Sequence, residues 1–225
     1  MHIERLHSQF RGEVDIAAQA FFLWKTINKH ASEDRRIYTG LNEQALSWNI
    51  LTHSLQTTFF IVLGRLFDTD GDAFSVHAFL RSCIDNIEQF SKEFLRQRKL
   101  ENSSGGEPEW LEEYLNNAYV PDKRDFQMIR GALRKRQKRY EKVYRPIRNT
   151  VVAHKATATM DNVDALFGRT DVAEIEEFLW FLHQVQETVF QLIYNGWLTK
   201  IGDHAFGEEE YVGRDVHSLL ERLKI

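Results

Sequence analysis

Cysteine and proline are scarce in this chain. Cys83 is the only cysteine among 225 residues, and there are only three prolines. A single cysteine excludes an internal disulfide and a cysteine-rich zinc site, which is typical of proteins from a reducing compartment. No long low-complexity tract is present either. The residues that follow Met1 lack the apolar run of a signal peptide. No apolar stretch is long enough to cross a bilayer. We therefore expect a cytoplasmic protein without a membrane partner.

Several catalytic motifs are also absent. The sequence contains no HExxH, no P-loop and no GxGxxG. Zinc-protease, nucleotide-hydrolase and dinucleotide-binding functions consequently lack support. With no recognisable set of metal ligands, we expect neither a metal nor another cofactor.

The composition is that of a globular protein with a packed core. Hydrophobic residues make up 43% of the chain and aromatic residues 12%. This length fits one domain with elaborations. We expect a single helical domain over residues 1–225, with a core at about 10–198, a flexible loop at about 101–108 and a C-terminal helix at about 209–223.

Apolar residues recur at helical spacing along the whole chain, and no strand-like alternation is sustained. The prediction is an all-α fold, with a loop at residues 36–40 and a turn cluster at residues 68–72. Asp72 is a candidate N-cap for the third helix, and Asp171 with Glu174 forms a variant of the capping box. Helices are predicted over residues 13–29, 42–67, 73–99, 110–117, 121–144, 171–198 and 209–223.

The charge is unevenly distributed. The whole chain carries a formal net charge of −4. Residues 122–155 contain twelve Lys or Arg and three acids, whereas residues 171–225 contain eleven acids and four bases. Such asymmetry can create a local positive field on an acidic protein. It can equally reflect two solvated helix faces that attract each other, and the charges alone do not choose between these readings.

The most informative stretch is Arg145-Pro146-Ile147-Arg148-Asn149-Thr150-Val151-Val152-Ala153-His154-Lys155, at the end of the basic segment. The planar guanidinium of Arg148 can hold a phosphate. The imidazole of His154 can move a proton near neutral pH. This combination suits cleavage of RNA. The alternative is a surface arginine followed by a histidine at a helix end.

The spacing sets a geometric condition on this pair. Six residues on a straight helix rotate a side chain by about 240°, so Arg148 and His154 would not share a face. They converge only if the backbone is irregular or if a second subunit completes the site. Pro146 is one source of irregularity, because it lacks an N–H and clashes with the preceding turn. The β-branched run 150–152 weakens helix propensity further.

The Arg-polar-(x)4–6-His pattern at Arg148, Asn149 and His154 resembles the motif of the HEPN superfamily. A second stretch narrows the resemblance. It reads Phe-Phe-Ile-Val-Leu-Gly-Arg-Leu-Phe-Asp over residues 59–68 and is followed by Ser75-Val76. Together with Ile147-Arg148-Asn149 and Ala153-His154, it is similar to the abortive-infection, AbiU-like branch. The resemblance covers roughly residues 10–195.

The resemblance implies an antiparallel helical bundle that forms symmetric dimers, in which two motifs meet in one cleft. It also implies a metal-independent RNase of a toxin or phage-defence type, with an antitoxin protein as a partner. His154 would transfer the proton, Arg148 would stabilise the phosphate, and Asn149 would orient the pair. Ala156 stands where some relatives carry a modifiable tyrosine, so that form of control is not expected. Many HEPN domains are non-catalytic, and the alternative is an RNA- or nucleotide-binding or assembly module.

Further residues are candidates for the same site. Arg65 and Asp68 either line the cleft or form a local ion pair at a helix end. The tyrosines at 140 and 144 would suit base stacking or packing. The expected RNA-binding residues are Arg134, Lys138, Lys142, Arg145 and Lys155.

Overall fold

The computed structural model describes residues 2–69, 74–101, 106–149 and 169–223. These parts of the chain are helical and contain no strand, which confirms the all-α prediction. The first four helices are α1 (His2–Glu33), α2 (Arg35–Glu43), α3 (Ala45–Leu66) and α4 (Val76–Asp85). After a 3-10 turn at Ile87–Phe90 come α5 (Lys92–Glu101), α6 (Leu111–Asn117) and α7 (Lys123–Arg139). A π-helical turn, Tyr140–Tyr144, leads to the short α8 (Arg145–Ile147). The last elements are α9 (Val172–Phe190), a second π turn at Gln191–Asn195 and the C-terminal α10 (Glu208–Glu221).

The chain forms two compact units. The first unit contains residues Met1–Gly12, Phe67–Arg139 and Ile175–Ala205. The second contains Glu13–Leu66, Tyr140–Glu174 and Phe206–Ile225.

Aromatic packing and a buried arginine organise the first unit. Phe10 and Phe79 stack with their ring centroids 4.7 Å apart. Arg98 is almost fully buried, where a charge is costly unless it is paired. It forms an ion pair with Glu4, and it donates to the carbonyls of Gln89 at 2.8 Å and Ile193 at 3.2 Å. These bonds connect the N-terminal turn of α1 to two later segments of the same unit.

The second unit has its own apolar cluster. Phe21 packs edge-on against Phe59, with 5.5 Å between the centroids. A further group of buried aliphatic side chains brings α10 together with α1 and α2, and it consists of Ile27, Ile37, Leu41, Val216 and Leu220. This packing explains why the predicted C-terminal helix forms at Glu208–Glu221.

The predicted loop at residues 36–40 is wrong, because these residues belong to α2. The Asp34 side chain accepts a hydrogen bond from the Arg36 N–H at 2.8 Å and so caps this helix. Ile37 and Leu41 are buried at helical spacing. Gly40 allows another part of the backbone to come close, since a Cβ there would lie 2.5 Å from the Leu223 carbonyl oxygen. Tertiary packing thus stabilises a helix whose glycine and charged residues weaken the helical pattern in the sequence.

The continuous helix predicted over 73–99 is also wrong. Ser75 caps α4, and its hydroxyl accepts from the Ala78 N–H at 3.3 Å. The helix ends at Asn86, whose side-chain amide donates to the Ser82 carbonyl at 2.8 Å. Ser91 is extended, with φ −69° and ψ 162°, and separates the 3-10 turn from α5. Asp72 and residues 102–105 of the loop predicted at 101–108 lie outside the described residues.

Candidate nucleic-acid site

A helical run that changes pitch carries the basic segment. The predicted helix over 121–144 is present as α7 followed by the π turn Tyr140–Tyr144. Pro146 follows this π turn in the short α8, with helical residues on both sides. Arg148 keeps helical backbone angles, with φ −51° and ψ −48°. The irregularity expected near Pro146 is therefore a widened turn just before it, a feature that recurs at functional sites in other helical proteins.

Arg148 lies directly against α3 of the same unit. A Cβ added to Gly64 would be only 2.5 Å from both Cδ and Nε of Arg148. Real side chains do not approach so closely, so the arginine occupies the space that any other residue at position 64 would fill. Arg148 is half-buried, and its Nη1 is 3.5 Å from the Asn149 Oδ1. Gly64 thus sets the path of the side chain that the sequence singles out for phosphate binding.

Two tyrosines beside this arginine are packing residues. Tyr140 and Tyr144 are buried, and their rings are nearly parallel with centroids 6.2 Å apart. Tyr144 also lies near Phe60 of α3, at 6.4 Å between centroids. Because neither ring is accessible, the base-stacking alternative for these tyrosines is wrong.

The Tyr144 hydroxyl is built into the N-terminal cap of α9. As predicted, Asp171 acts as the cap, and its carboxylate accepts from the Ala173 N–H at 2.9 Å. In a standard capping box, the third residue of the helix would accept directly from the cap's own N–H. Here the Asp171 N–H donates to the Tyr144 Oη at 3.3 Å, and the Tyr144 hydroxyl donates to the Glu174 Oε2 at 2.6 Å. The tyrosine therefore links the π turn of the basic segment to the start of α9.

Arg65 pairs with a residue that the sequence did not suggest. Its Nη2 and Nε donate to the Glu13 Oε2 at 2.7 and 3.1 Å, within the second unit. The two hydrogen bonds to one carboxylate oxygen orient the guanidinium toward α1. Asp68 follows α3 in the first unit and is partly exposed.

The expected RNA-binding residues are accessible to different degrees. Arg134 and Lys138 are exposed one turn apart on α7 in the first unit. In the second unit, Lys142 is exposed and Arg145 is half-buried. Not every basic side chain of α7 is available to bind RNA. Arg136 pairs with Glu177 at 2.8 Å, and its guanidinium lies 4.2 Å from the centre of the Phe181 ring. Attraction between the basic and acidic segments thus accounts for part of the charge pattern.

His154, Lys155 and Ala156 lie outside the described residues. Within the part of the chain that the structure describes, no group of three or more His, Cys, Asp or Glu residues could hold a metal ion. Two other histidines are bonded as structural residues. His77 Nε2 is 2.9 Å from the Gln137 Oε1, and His183 Nε2 is 2.9 Å from the Ala205 carbonyl oxygen. Cys83 is fully buried, and burial raises the pKa of its thiol.

Gly64 belongs to the second motif, but the sequence does not reveal its contact with Arg148. A glycine inside an apolar helix is a weak signal, because it lowers helix propensity and usually has a packing reason. Glu13 carried no signal at all. Both become recognisable only when α1, α3 and the basic segment are folded.

No helix among the described residues has the length and apolar character that a membrane span requires.

The comparisons with known proteins give one match. No curated protein and no solved structure matches the chain. The sequence profile of the HEPN_AbiU2 family, described as AbiU2, matches residues 2–219. That range contains Gly64, Arg148, Asn149 and His154, and it exceeds the 10–195 expected from the motifs. The chain belongs to the AbiU2 family of HEPN proteins.

Proposed function

We propose that this protein is a metal-independent endoribonuclease of a toxin or phage-defence type. The observation that carries the proposal is the placement of Arg148. Its side chain crosses Gly64, remains partly exposed and follows a π turn, in a chain of the HEPN AbiU2 family. A guanidinium held in this way is suited to a phosphate, because its planar fork of donors can contact two oxygens at once.

The proposed reaction is attack of an RNA 2′-hydroxyl on the adjacent phosphorus. A bond from the 2′-oxygen to phosphorus forms while the bond to the 5′-oxygen breaks. His154 acts as general base toward the 2′-hydroxyl or as general acid toward the leaving 5′-oxygen. Arg148 stabilises the charge that develops on the pentacoordinate phosphate. Asn149, whose amide oxygen is near the Arg148 guanidinium, orients the arginine or contacts the substrate.

The acting form is proposed to be a two-fold dimer. Arg148 has helical backbone angles, and six residues of regular helix would point His154 away from it. A two-fold axis can place the motifs of both subunits in one cleft, so that arginine and histidine meet there. The prediction from sedimentation is a dimer at micromolar concentration, whereas a monomer would argue against the shared cleft.

In this proposal, accessible Lys and Arg side chains of each unit attract the RNA. Arg134 and Lys138 would act in the first unit, and Lys142 and Arg145 in the second, with Lys155 as a further candidate. Long-range attraction of phosphates requires only exposed positive charge. Arg65 is assigned a structural role, since Glu13 already holds its guanidinium. We further propose that an antitoxin protein restrains the nuclease in the cell.

The substrate oligonucleotide itself provides the test. An RNA and its 2′-O-methyl version, identical in sequence, are incubated with the protein in EDTA. Only the RNA should be cut, and the products should end in a 2′,3′-cyclic phosphate and a 5′-hydroxyl. Cleavage of the methylated strand, or products with a 3′-hydroxyl, would overturn the mechanism. Binding of RNA without cleavage, after any inhibitory partner is removed, would support the non-catalytic RNA-binding or assembly alternative.

A further inference from the structure

A groove in the first unit is lined by aromatic residues and is separate from the residues assigned to RNA cleavage. Its lining consists of Trp110, Glu113, Tyr114, Asn117, Ala118 and Trp197, and its volume is about 420 Å³. The two tryptophans are 52% and 55% exposed. Indoles are among the largest apolar side chains, so leaving half of each in water at one groove is unfavourable unless something covers them.

Specific contacts hold the walls of this groove in place. The Tyr119 N–H donates to the Gly196 carbonyl at 2.7 Å. Gly196 is left-handed, with φ 57°, and a Cβ there would lie 2.8 Å from the Ala118 Cβ. This close approach brings Trp197, the next residue, to the side of α6. The Tyr114 hydroxyl donates to the Asn195 carbonyl at 2.7 Å, which fixes the second aromatic wall.

The rings are arranged at an angle rather than stacked face to face. Trp110 and Tyr114 are 5.7 Å apart with an interplanar angle of 78°. This edge-to-face contact fixes the orientation of both rings at the groove wall. Tyr114 already has a cation near it, since the Lys99 Nζ is 4.8 Å from its ring centre. The two indoles have no cation over their rings within the described residues.

The charge at the groove favours a cation. Glu113 contributes to the lining, and Glu109 is exposed at the neighbouring turn. Arg96 pairs with Glu107 and Glu112, which leaves Glu113 without an ion pair among the described residues. An organic cation would be attracted by the carboxylate and by the negative faces of the indoles.

We propose that the groove formed by Trp110, Tyr114, Trp197 and Glu113 binds an organic cation with an alkylated ammonium group. Such a group loses less hydration than a primary ammonium, and its alkyl surface packs on indole rings while its charge faces the carboxylate. The volume of about 420 Å³ is within the range of small-ligand sites. The proposal does not depend on RNA cleavage.

Calorimetry on the purified full chain, without RNA, tests this inference. Choline and tetramethylammonium are compared with 3,3-dimethylbutan-1-ol, which has the shape of choline with a carbon in place of the nitrogen. The cations should bind at least about tenfold more tightly than the neutral alcohol. Trp110→Ala, Trp197→Ala and Glu113→Gln should each weaken cation binding by about three- to tenfold. Tyr211→Ala, which removes an exposed aromatic ring outside the groove, should leave it unchanged.

A second arm separates a free cation from a cationic side chain. A peptide with one trimethylated lysine is compared with the same unmodified peptide and with choline. Tighter binding of the modified peptide would identify a protein side chain as the source, and tighter binding of choline would identify a free metabolite. Equal binding of choline and the neutral alcohol, or no binding at millimolar concentration, would overturn the proposal. Unchanged binding in both folded tryptophan variants would overturn it as well.

Discussion

The guanidinium arm of Arg148 passes over Gly64 so closely that a methyl group at position 64 would lie 2.5 Å from two of its atoms. Gly64 is in the interior of α3, where glycine lowers helix stability by about 0.5–1 kcal/mol relative to alanine. The glycine that lowers the stability of α3 therefore lies directly against the proposed catalytic arginine. Glycine at this position is explained by the space it leaves for Arg148 and not by the helix itself.

Gly64→Ala should reduce RNA cleavage without lowering the thermal stability of the protein. The Arg148 side chain is flexible and can yield, and the Tyr140 hydroxyl, 3.2 Å from the added Cβ, needs to shift only slightly, so we expect the melting temperature to change little. RNA cleavage should nevertheless fall at least about tenfold, because a displacement of about 1 Å in a catalytic group can cost about a hundredfold. The checks are thermal unfolding and the rate of RNA cleavage on the same preparations.

Gly131→Ala is the matched control. Gly131 is exposed in α7, and a Cβ there would meet nothing within 4 Å. This variant should gain about 0.5–1 kcal/mol of helix stability without losing cleavage. If Gly64 acts through Arg148, adding Gly64→Ala to Arg148→Ala should cause no further loss. Additive losses in the double variant, or full activity in Gly64→Ala, would refute the positioning role.

Tyr144→Phe should destabilise the protein by about 1–3 kcal/mol. The substitution removes the buried hydroxyl that joins the Asp171 N–H to the Glu174 carboxylate. Loss of a buried partner leaves both groups without that bond, and a charged acceptor makes the loss larger. Urea unfolding measures the change. Tyr211→Phe, at an exposed ring, should stay within about 0.5 kcal/mol of the wild type, and an equal change in both variants would contradict the bridging role.

His7 should make the protein less stable in mild acid. Burial lowers the pKa of its imidazole, although the hydrogen bond to the Gln186 carbonyl at 3.0 Å opposes this effect. Arg11 lowers the pKa further and Glu187 raises it. The unfolded state therefore binds a proton more readily than the folded state below about pH 6.5. The contribution of neutral His7 to the free energy of unfolding should be fully present above this pH. At lower pH the free energy of unfolding should decrease, by at most about 1.4 kcal/mol per pH unit.

The histidine contribution can be isolated with His7→Gln. Glutamine does not titrate and can still donate a hydrogen bond toward the Gln186 carbonyl. Its free energy of unfolding, measured by urea at pH 7, 6 and 5, should depend less on pH than that of the wild type. Parallel pH curves for the two proteins would show that other groups cause the acid sensitivity.

Reversing Arg134 and Lys138 to glutamate should weaken RNA binding and reduce its salt dependence. For single strands, each lost phosphate contact lowers the slope of log K against log salt by about 0.7, so two lost contacts lower it by about 1.4. The control reverses Lys29 and Arg35, which are exposed in the second unit and change the net charge equally. If both double variants lose RNA affinity equally, net charge and not the position of the α7 residues determines binding.

The fold could be predicted from the sequence where apolar residues repeat without interruption. The sequence predicts α7, α9 and α10 because their apolar patterns are long, and α7 and α9 also begin at turn or capping residues. The helix α2 was missed because Ile37 and Leu41 find their partners in α1 and α10, far away in sequence. The division of residues 76–101 depends on local side-chain bonds of Ser75 and Asn86 that propensity does not register.

The candidate site was only partly predictable for the same reason. The pattern of Arg148, Asn149 and His154 is contiguous and therefore visible in the sequence. The space that Gly64 leaves for Arg148 requires α3 and the basic segment to pack together. The hydroxyl of Tyr144 in the α9 cap likewise joins segments that the sequence separates. Contacts of this kind are tertiary and have no local pattern.

The most direct test of the central claim is RNA cleavage by the wild type, Arg148→Ala and His154→Ala in the presence of EDTA. All three proteins are first shown to be folded by circular dichroism and thermal unfolding. Positioned acid–base catalysis contributes about 10²–10⁴-fold, so His154→Ala should lose at least about a hundredfold in rate, and Arg148→Ala should lose a comparable factor. The account predicts that the wild type cleaves equally well with and without the chelator. Cleavage that persists equally in both variants, or that stops when EDTA is added to the wild type, would contradict it.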